Sequence, residues 1–182
     1  MPSPSPFELL GLEARYAVVR ADLDHVHREL SKALHPDRHR DKPASERRLL
    51  LERAMQVNEA FRIVKDPIRR ARALLRLRGI SVDESREVSP PPMFLMDVIE
   101  QRETLAEARA SRDVGKIQAL ARGVAARRDA TEKKLVVAFD QTEISDPESV
   151  LSLVGELSYD ARFLEEANAA AEELENEPGA AN

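Results

Sequence analysis

Apolar residues recur along most of this chain at intervals of three and four, the spacing that puts them on one face of an α-helix. Leu23, Val26, Leu30 and Leu34 mark such a face over residues 19–34, and Leu50, Ala54, Val57, Phe61 and Val64 mark another over residues 46–65. A short helix over residues 7–10 precedes them. Ser5 is placed to cap it, Pro6 occupies its first position, and Gly11 ends it. Pro36 disfavours helix at His35, so the second helix stops there. Residues 35–44, HPDRHRDKPA, are polar and broken by proline, which predicts a loop. Ser45 is a candidate cap for the third helix. Asp66-Pro67 repeats the cap-plus-proline start and opens a fourth helix through Leu74, Leu75 and Leu77 to Gly79.

The pattern then lapses. Residues 80–92 are polar and end in Pro90-Pro91-Pro92, which predicts a stiff extended linker. Helical spacing resumes over residues 93–111, 113–139 and 147–174, with turns near Arg112-Asp113 and over residues 141–146. Short connections between long helices predict an antiparallel three-helix bundle over residues 93–175. Residues 176–182 read as a frayed tail. The fold class is therefore all-α, with a helical hairpin over residues 1–79 and the bundle after the linker.

Composition supports helix and narrows the chemistry. Charged residues make up 34% of the chain, aromatics only 4%, and no long alternating β-branched run predicts a sheet. There is no cysteine, which excludes disulfides and thiolate metal sites. His25 and His27 fall on different faces of a helix and His35 and His39 on a loop, so no metal and no cofactor is expected. No apolar run approaches the length of a membrane span, and residues 1–6 lack the features of a signal peptide; a cytoplasmic protein is expected. Net charge is −5 but is unevenly spread, with residues 1–80 carrying +6 and residues 81–182 carrying −11. That asymmetry suggests two modules with different partners.

His35-Pro36-Asp37 is the motif that carries function. It lies between two amphipathic helices, the second of which contains Val57-Asn58-Glu59-Ala60-Phe61 before Asp66-Pro67. Pro36 fixes its own φ and restrains His35, while Asp37 offers a carboxylate on an exposed tip to a partner's arginine. This arrangement resembles the J-domain family, in which a helical hairpin carries His-Pro-Asp at its tip and activates an ATP-hydrolysing chaperone. The resemblance implies chaperone contacts at His35, Pro36 and Asp37. It extends them to the basic side chains Arg28 and Lys32, four apart on one helix face, and to Arg38 in the loop. Asp22, Asp24 and Glu29 dilute that basic face, and His27 stands where an aromatic is usual.

The likeness continues beyond the hairpin. Arg70-Ala71, Leu74-Leu75, Phe94-Leu95-Met96, Gln101-Arg102-Glu103 and the three-helix module resemble the HscB type of J-protein. That type works with HscA, a DnaK-class chaperone, and delivers the iron–sulfur scaffold protein IscU to it. On the helix over residues 93–111, Phe94, Val98 and Leu105 cluster on the expected core side. Met96, Ile99, Glu100, Glu103 and Glu107 cluster on roughly the opposite side, which suits a partner patch. In the last helix Val150, Val154, Leu157, Ala161 and Leu164 form the expected core stripe, and Tyr159 and Phe163 lie off it. The HscB resemblance implies scaffold contacts at Leu95, Met96, Ile99, Glu100, Glu103, Glu107 and Phe163.

Two other readings follow from the residues. A J-protein of the same architecture could serve a general DnaK and another client. The arginines around residues 69–78 raise nucleic-acid binding, which the acidic whole chain and its scarce aromatics oppose. No nucleophile–base pair or cofactor motif suggests an enzyme.

Overall fold

Every regular element of the computed structural model, which describes residues 4–82 and 90–176, is helical. The described residues up to Val82 form one compact unit and those from Pro90 a second. In the first, α1 (Pro6–Leu10), α2 (Arg20–Ala33), a 3-10 turn (Pro36–His39), α3 (Ala44–Lys65) and α4 (Pro67–Leu77) follow in order. In the second, α5 (Pro92–Ala110), α6 (Val114–Asp140) and α7 (Pro147–Asn176) form the bundle. The linker expected over residues 80–92 falls mainly on residues 83–89, outside the described residues, as does all of the expected tail beyond Asn176.

Local chemistry explains most of the boundaries. The Ser5 hydroxyl accepts from the Glu8 amide at 3.2 Å and the Glu8 carboxylate accepts from the Ser5 amide at 2.7 Å, a reciprocal capping box. Gly11 ends α1 with φ +66°, a left-handed conformation in which a Cβ is costly. The Asp66 carboxylate accepts from the amides of Ile68 and Arg69 at 2.9 and 2.8 Å and starts α4. Asp113 caps α6 through the Lys116 amide at 2.8 Å, and Asp146 caps α7 through the Ser149 amide at 3.1 Å. One cap departs from expectation: α3 begins a residue before Ser45, with Pro43 in the N-cap position and no side-chain cap. Pro43, already extended at ψ 151°, sets the direction of entry without a hydroxyl.

In the first unit α2 and α3 pair as a hairpin, while α1 and α4 pack on α3. Phe7, Leu10, Tyr16, Leu23, Val57, Val64, Leu74 and Leu75 are buried there. Arg70 enters this core. Its guanidinium lies 4.7 Å from the Tyr16 ring centre and donates to the Val64 carbonyl at 2.8 Å. That carbonyl is in the last turn of α3, where no helical partner remains, so one side chain joins α4, the end of α3 and the loop before α2.

In the second unit α6 and α7 pack along most of their lengths, and α5 touches both less extensively. Ion pairs join Arg102 to Glu166 (3.7 Å) and Arg109 to Glu173, so α5 and α7 run parallel and α6 runs against both. Phe94, Val98, Leu105, Ile117, Val124, Leu135, Val150, Val154 and Leu157 are buried. Phe163 corrects the expectation that it lies off the core: it is 1% exposed and packs with Leu105, Ile117, Val124 and Ala167. The charged Asp160 interrupts the apolar pattern, so extrapolation from Leu157 steps to Ala161 and Leu164. The structure instead buries Asp160 itself, at 0% exposure, and the core row continues through Phe163, Ala167 and Ala170.

Asp160 is buried because Arg127 meets it. The guanidinium of α6 donates to its carboxylate at 2.5 and 3.1 Å, donates to the Gln101 side-chain carbonyl of α5 at 3.0 Å, and lies 4.8 Å from the Phe94 ring centre. One turn earlier in α7, half-buried Glu156 has its carboxyl pushed above the usual glutamate range by desolvation and by the nearby Asp160 charge, against the opposing effects of Lys134, Thr131 and Arg127.

Two outcomes follow for stability. Phe163→Ala should destabilise the bundle by about 3–5 kcal/mol in a urea titration, the range for emptying a buried aromatic site. A loss under about 1 kcal/mol would place the ring outside the core. Glu156 has its folded pKa raised, so the folded state holds the proton more tightly and stability falls as pH rises from the usual glutamate value of 4.5 through the folded one. Glu156→Gln should therefore be more stable than the parent at neutral pH, with the difference closing on acidification below that value. Denaturation midpoints measured from pH 4 to pH 8 would check both sign and window.

Candidate functional site

The tip of the α2–α3 hairpin is built by Pro36. His35 is extended at φ −62°, ψ 131°, as a residue before proline should be, and Pro36 begins the 3-10 turn. The His35 side chain acts as a cap, its Nδ1 accepting from the Asp37 amide at 3.3 Å. The neutral ring therefore carries its proton on Nε2. At the far end of the turn His39 Nε2 lies 2.7 Å from the Ala33 carbonyl and holds the turn against the last residue of α2. His35, Pro36, Asp37 and Arg38 are all exposed, so the structure brings the four predicted loop residues together on one surface.

Asp37 is not alone on that tip. Its Oδ1 accepts from Arg40 at 2.6 and 3.2 Å, and its other oxygen stands 3.8 Å from His35 Nδ1. Arg40 was not among the predicted contact residues. Its spacing of three from Asp37 was the available signal, but that spacing means proximity only once the segment is known to be helical. Beside the tip, Leu34, Pro36, His39, Ala44, Leu50 and Leu51 line an open pocket of about 350 Å³.

On α2 the predicted Arg28 and Lys32 are exposed. Lys32 bonds Glu29 at 2.9 Å, and that ammonium holds the Glu29 carboxyl below the usual range. The basic face is thus partly offset by its own helix. His27 turns the other way. Its ring stacks on Phe61 at 3.9 Å between centres with 16° between planes, and Nε2 lies 2.9 Å from the Asn58 Oδ1. The run from Val57 to Phe61 therefore clamps α2: Val57 and Ala60 are buried, and Asn58 and Phe61 hold the histidine.

The second surface is the outer face of α5. Met96 is 64% and Ile99 59% exposed, and Glu100, Glu103 and Glu107 are exposed beside them. Met93, 72% exposed, extends the apolar row by one turn and was missed by sequence reasoning. Its position three residues before Met96 was the signal. Leu95 is half-buried. Glu107 meets Lys116 at 3.5 Å, whereas no cation stands within ion-pair distance of Glu100 or Glu103 among the described residues. Phe163, in the core beneath α5, does not belong to this face.

Three apolar side chains standing more than half exposed in a row are costly to leave in water, and the carboxylates of Glu100 and Glu103 beside them have no ion-pair partner among the described residues. Among the described residues no group of three histidine, aspartate or glutamate side chains is placed to hold a metal ion, and no helix is long and apolar enough to cross a membrane.

Residues 90–176 match the family model described as the HSCB C-terminal oligomerisation domain. A co-chaperone protein HscB homolog from Burkholderia multivorans is 32% identical over 171 residues, which span 94% of this chain and 96% of that one. Another, from Ralstonia nicotianae, is 38% identical over 112 residues, 62% of this chain and 64% of the relative's length. Among solved structures, chaperone HscB from Vibrio cholerae superposes with a TM-score of 0.82 at 28% identity, covering 94% of this chain and 99% of the other. The human co-chaperone protein HscB shares the fold, with a TM-score of 0.81 at 23% identity over 93% of this chain and 83% of its own. With an exposed His-Pro-Asp turn in one unit, an acidic apolar helix face in the other and likeness along nearly the whole length, the chain belongs to the HscB family of co-chaperones.

Proposed function

We propose that this co-chaperone stimulates ATP hydrolysis by a DnaK-class chaperone of the HscA kind and brings to it an iron–sulfur scaffold protein of the IscU kind, promoting cluster assembly and transfer in the cytoplasm. The observation that carries the reading is the pairing, in one HscB-type chain, of the exposed His35-Pro36-Asp37 turn with the solvent-facing row Met93, Met96 and Ile99. The turn is small, rigid and polar. Pro36 and the His35–Asp37 bond preset its backbone, so a partner arginine reaching Asp37 meets a carboxylate already in place. Arg28, Lys32 and Arg38 give the same end of the hairpin a basic character that speeds encounter with an acidic chaperone surface. On α5, Met96 and Ile99 supply desolvated contact, Leu95 supports them, and Glu100, Glu103 and Glu107 orient a basic scaffold surface. The protein itself is not the catalyst in this scheme: the hydrolytic chemistry belongs to the chaperone.

A second reading keeps the mechanism and changes the partners. The Lys32–Glu29 pair and the acidic residues of α2 weaken the basic face, which suits a general DnaK carrying another client no less than a dedicated chaperone. Affinity capture of the tagged full-length chain from its own cells separates the two readings, since recovery of the scaffold protein is expected only for the first.

His35→Gln and Asp37→Asn should each abolish stimulation of the chaperone's steady-state ATPase while leaving the melting temperature unchanged, because both side chains are exposed and outside the core. Normal stimulation by either folded variant would remove the hairpin tip from the mechanism. For the client, Met96→Ala with Ile99→Ala should weaken scaffold binding by about 2–4 kcal/mol in titration calorimetry, the range for two anchor residues. The double variant should melt with the parent, since neither side chain is buried. Unchanged affinity in a stable variant would mean that the scaffold docks elsewhere.

A further inference from the structure

The bundle of α5, α6 and α7 holds a charge pair that is fully buried at Asp160 and partly exposed at Arg127. Asp160 is fully buried, and Arg127 reaches it from the neighbouring helix with two bonds at 2.5 and 3.1 Å. Removing two such charges from water costs about as much as their attraction returns, and apolar residues of similar volume are often at least as stable in their place. The pair matters for what else the guanidinium touches. Its Nη2, which also bonds Asp160, donates to the Gln101 side-chain oxygen of α5 at 3.0 Å, and its guanidinium lies 4.8 Å from the centre of the Phe94 ring of the same helix. Phe94 and Gln101 are seven residues apart, two turns of one helix face, and Arg127 bridges them.

The helix so held is the one less extensively packed. α6 and α7 bury most of their shared length against each other, and α5 rests on that pair. Its buried residues Phe94, Val98, Leu105 and Ala108 set which face turns inward, and exposed ion pairs of Arg102 with Glu166, Arg109 with Glu173 and Glu107 with Lys116 tie the half of the helix beyond Gln101. The Arg127 bonds are directional.

We infer that Arg127, held in place by Asp160, is a positioning residue for the outer face of α5. It fixes the rotation and register of that helix through Gln101 and Phe94, and thereby sets the geometry in which a client protein meets Met96 and Ile99. The part concerning the client rests on the functional reading above; the part concerning α5 does not.

The decisive variant is the full-length Arg127→Met/Asp160→Leu chain, which removes both charges together and leaves neither buried unpaired. Its melting temperature should equal or exceed the parent's. Amide hydrogen exchange should accelerate at least tenfold across residues 94–104 and stay unchanged in the facing turns of α6 and α7. Affinity for the scaffold protein should fall at least tenfold. Should the double variant not fold, Arg127→Lys keeps the charge opposite Asp160 but loses the planar fork to Gln101, and the same selective pattern is expected. Unaltered exchange in α5 would overturn the inference, as would acceleration spread evenly over all three helices with a lowered melting temperature, the mark of a merely structural pair. Selective loosening with unchanged scaffold affinity would overturn the client step if Met96→Ala/Ile99→Ala weakens binding as expected above. If that variant also binds normally, the client-face reading is what fails, and the accelerated exchange still supports the role of Arg127 in holding α5.

Discussion

Each compact unit lays one guanidinium on an aromatic ring where helices meet, that of Arg70 buried and that of Arg127 half-buried. Arg70 covers Tyr16 and binds the Val64 carbonyl; Arg127 covers Phe94 and binds Asp160 and Gln101. With only five phenylalanines, two tyrosines and no tryptophan in 182 residues, the chain has few large side chains with which to lock helices together. Small and aliphatic residues fill the remaining volume but specify orientation poorly. A planar donor fork supplies direction, and acceptors and a ring face replace part of its hydration, one carbonyl for Arg70 and two side chains for Arg127. The rest of the packing is consistent with these two fixed points: α4 is tied to the end of α3, and α5 to the groove of α6 and α7.

The Arg127–Asp160 pair marks where the sequence was hard to read. Helical spacing, proline positions and aspartate caps locate all seven helices to within about two residues, because each of these signals is local. The His-Pro-Asp tip was legible for the same reason, since a proline between two amphipathic helices determines the turn on its own. Phe163 was misread because the pattern assumes that core positions are apolar, and Asp160 is not. A carboxylate enters the core row only when a cation on another helix is there to receive it, and that pairing lies 33 residues away in sequence. Arg40 and Met93 were missed for smaller reasons of context. One needed the 3-10 turn to bring it to Asp37, and the other, read as the first residue of the helix over 93–111, was left out of the face that starts at Met96.

The two surfaces use different physics. The tip is polar and short, and its geometry is held by backbone restraint and by contacts within ten residues of sequence. The α5 face is apolar and acidic, and its geometry depends on side chains contributed by two other helices. His27 stacks on Phe61 and makes a polar bond to Asn58. The hairpin thus keeps its clamp with a side chain that also satisfies a neighbouring amide.

The pairing of Asp37 with Arg40 has a consequence for timing. A carboxylate that already holds a guanidinium at 2.6 Å gives up one charge-assisted bond to form another when a partner's arginine arrives. The exchange is close to balanced in free energy, because bonds of the same kind are broken and made at an exposed site. Arg40 also stays tethered three residues away, at a high effective concentration, ready to reclaim the carboxylate. On the proposed reading, such a contact forms with orientation and is readily exchanged.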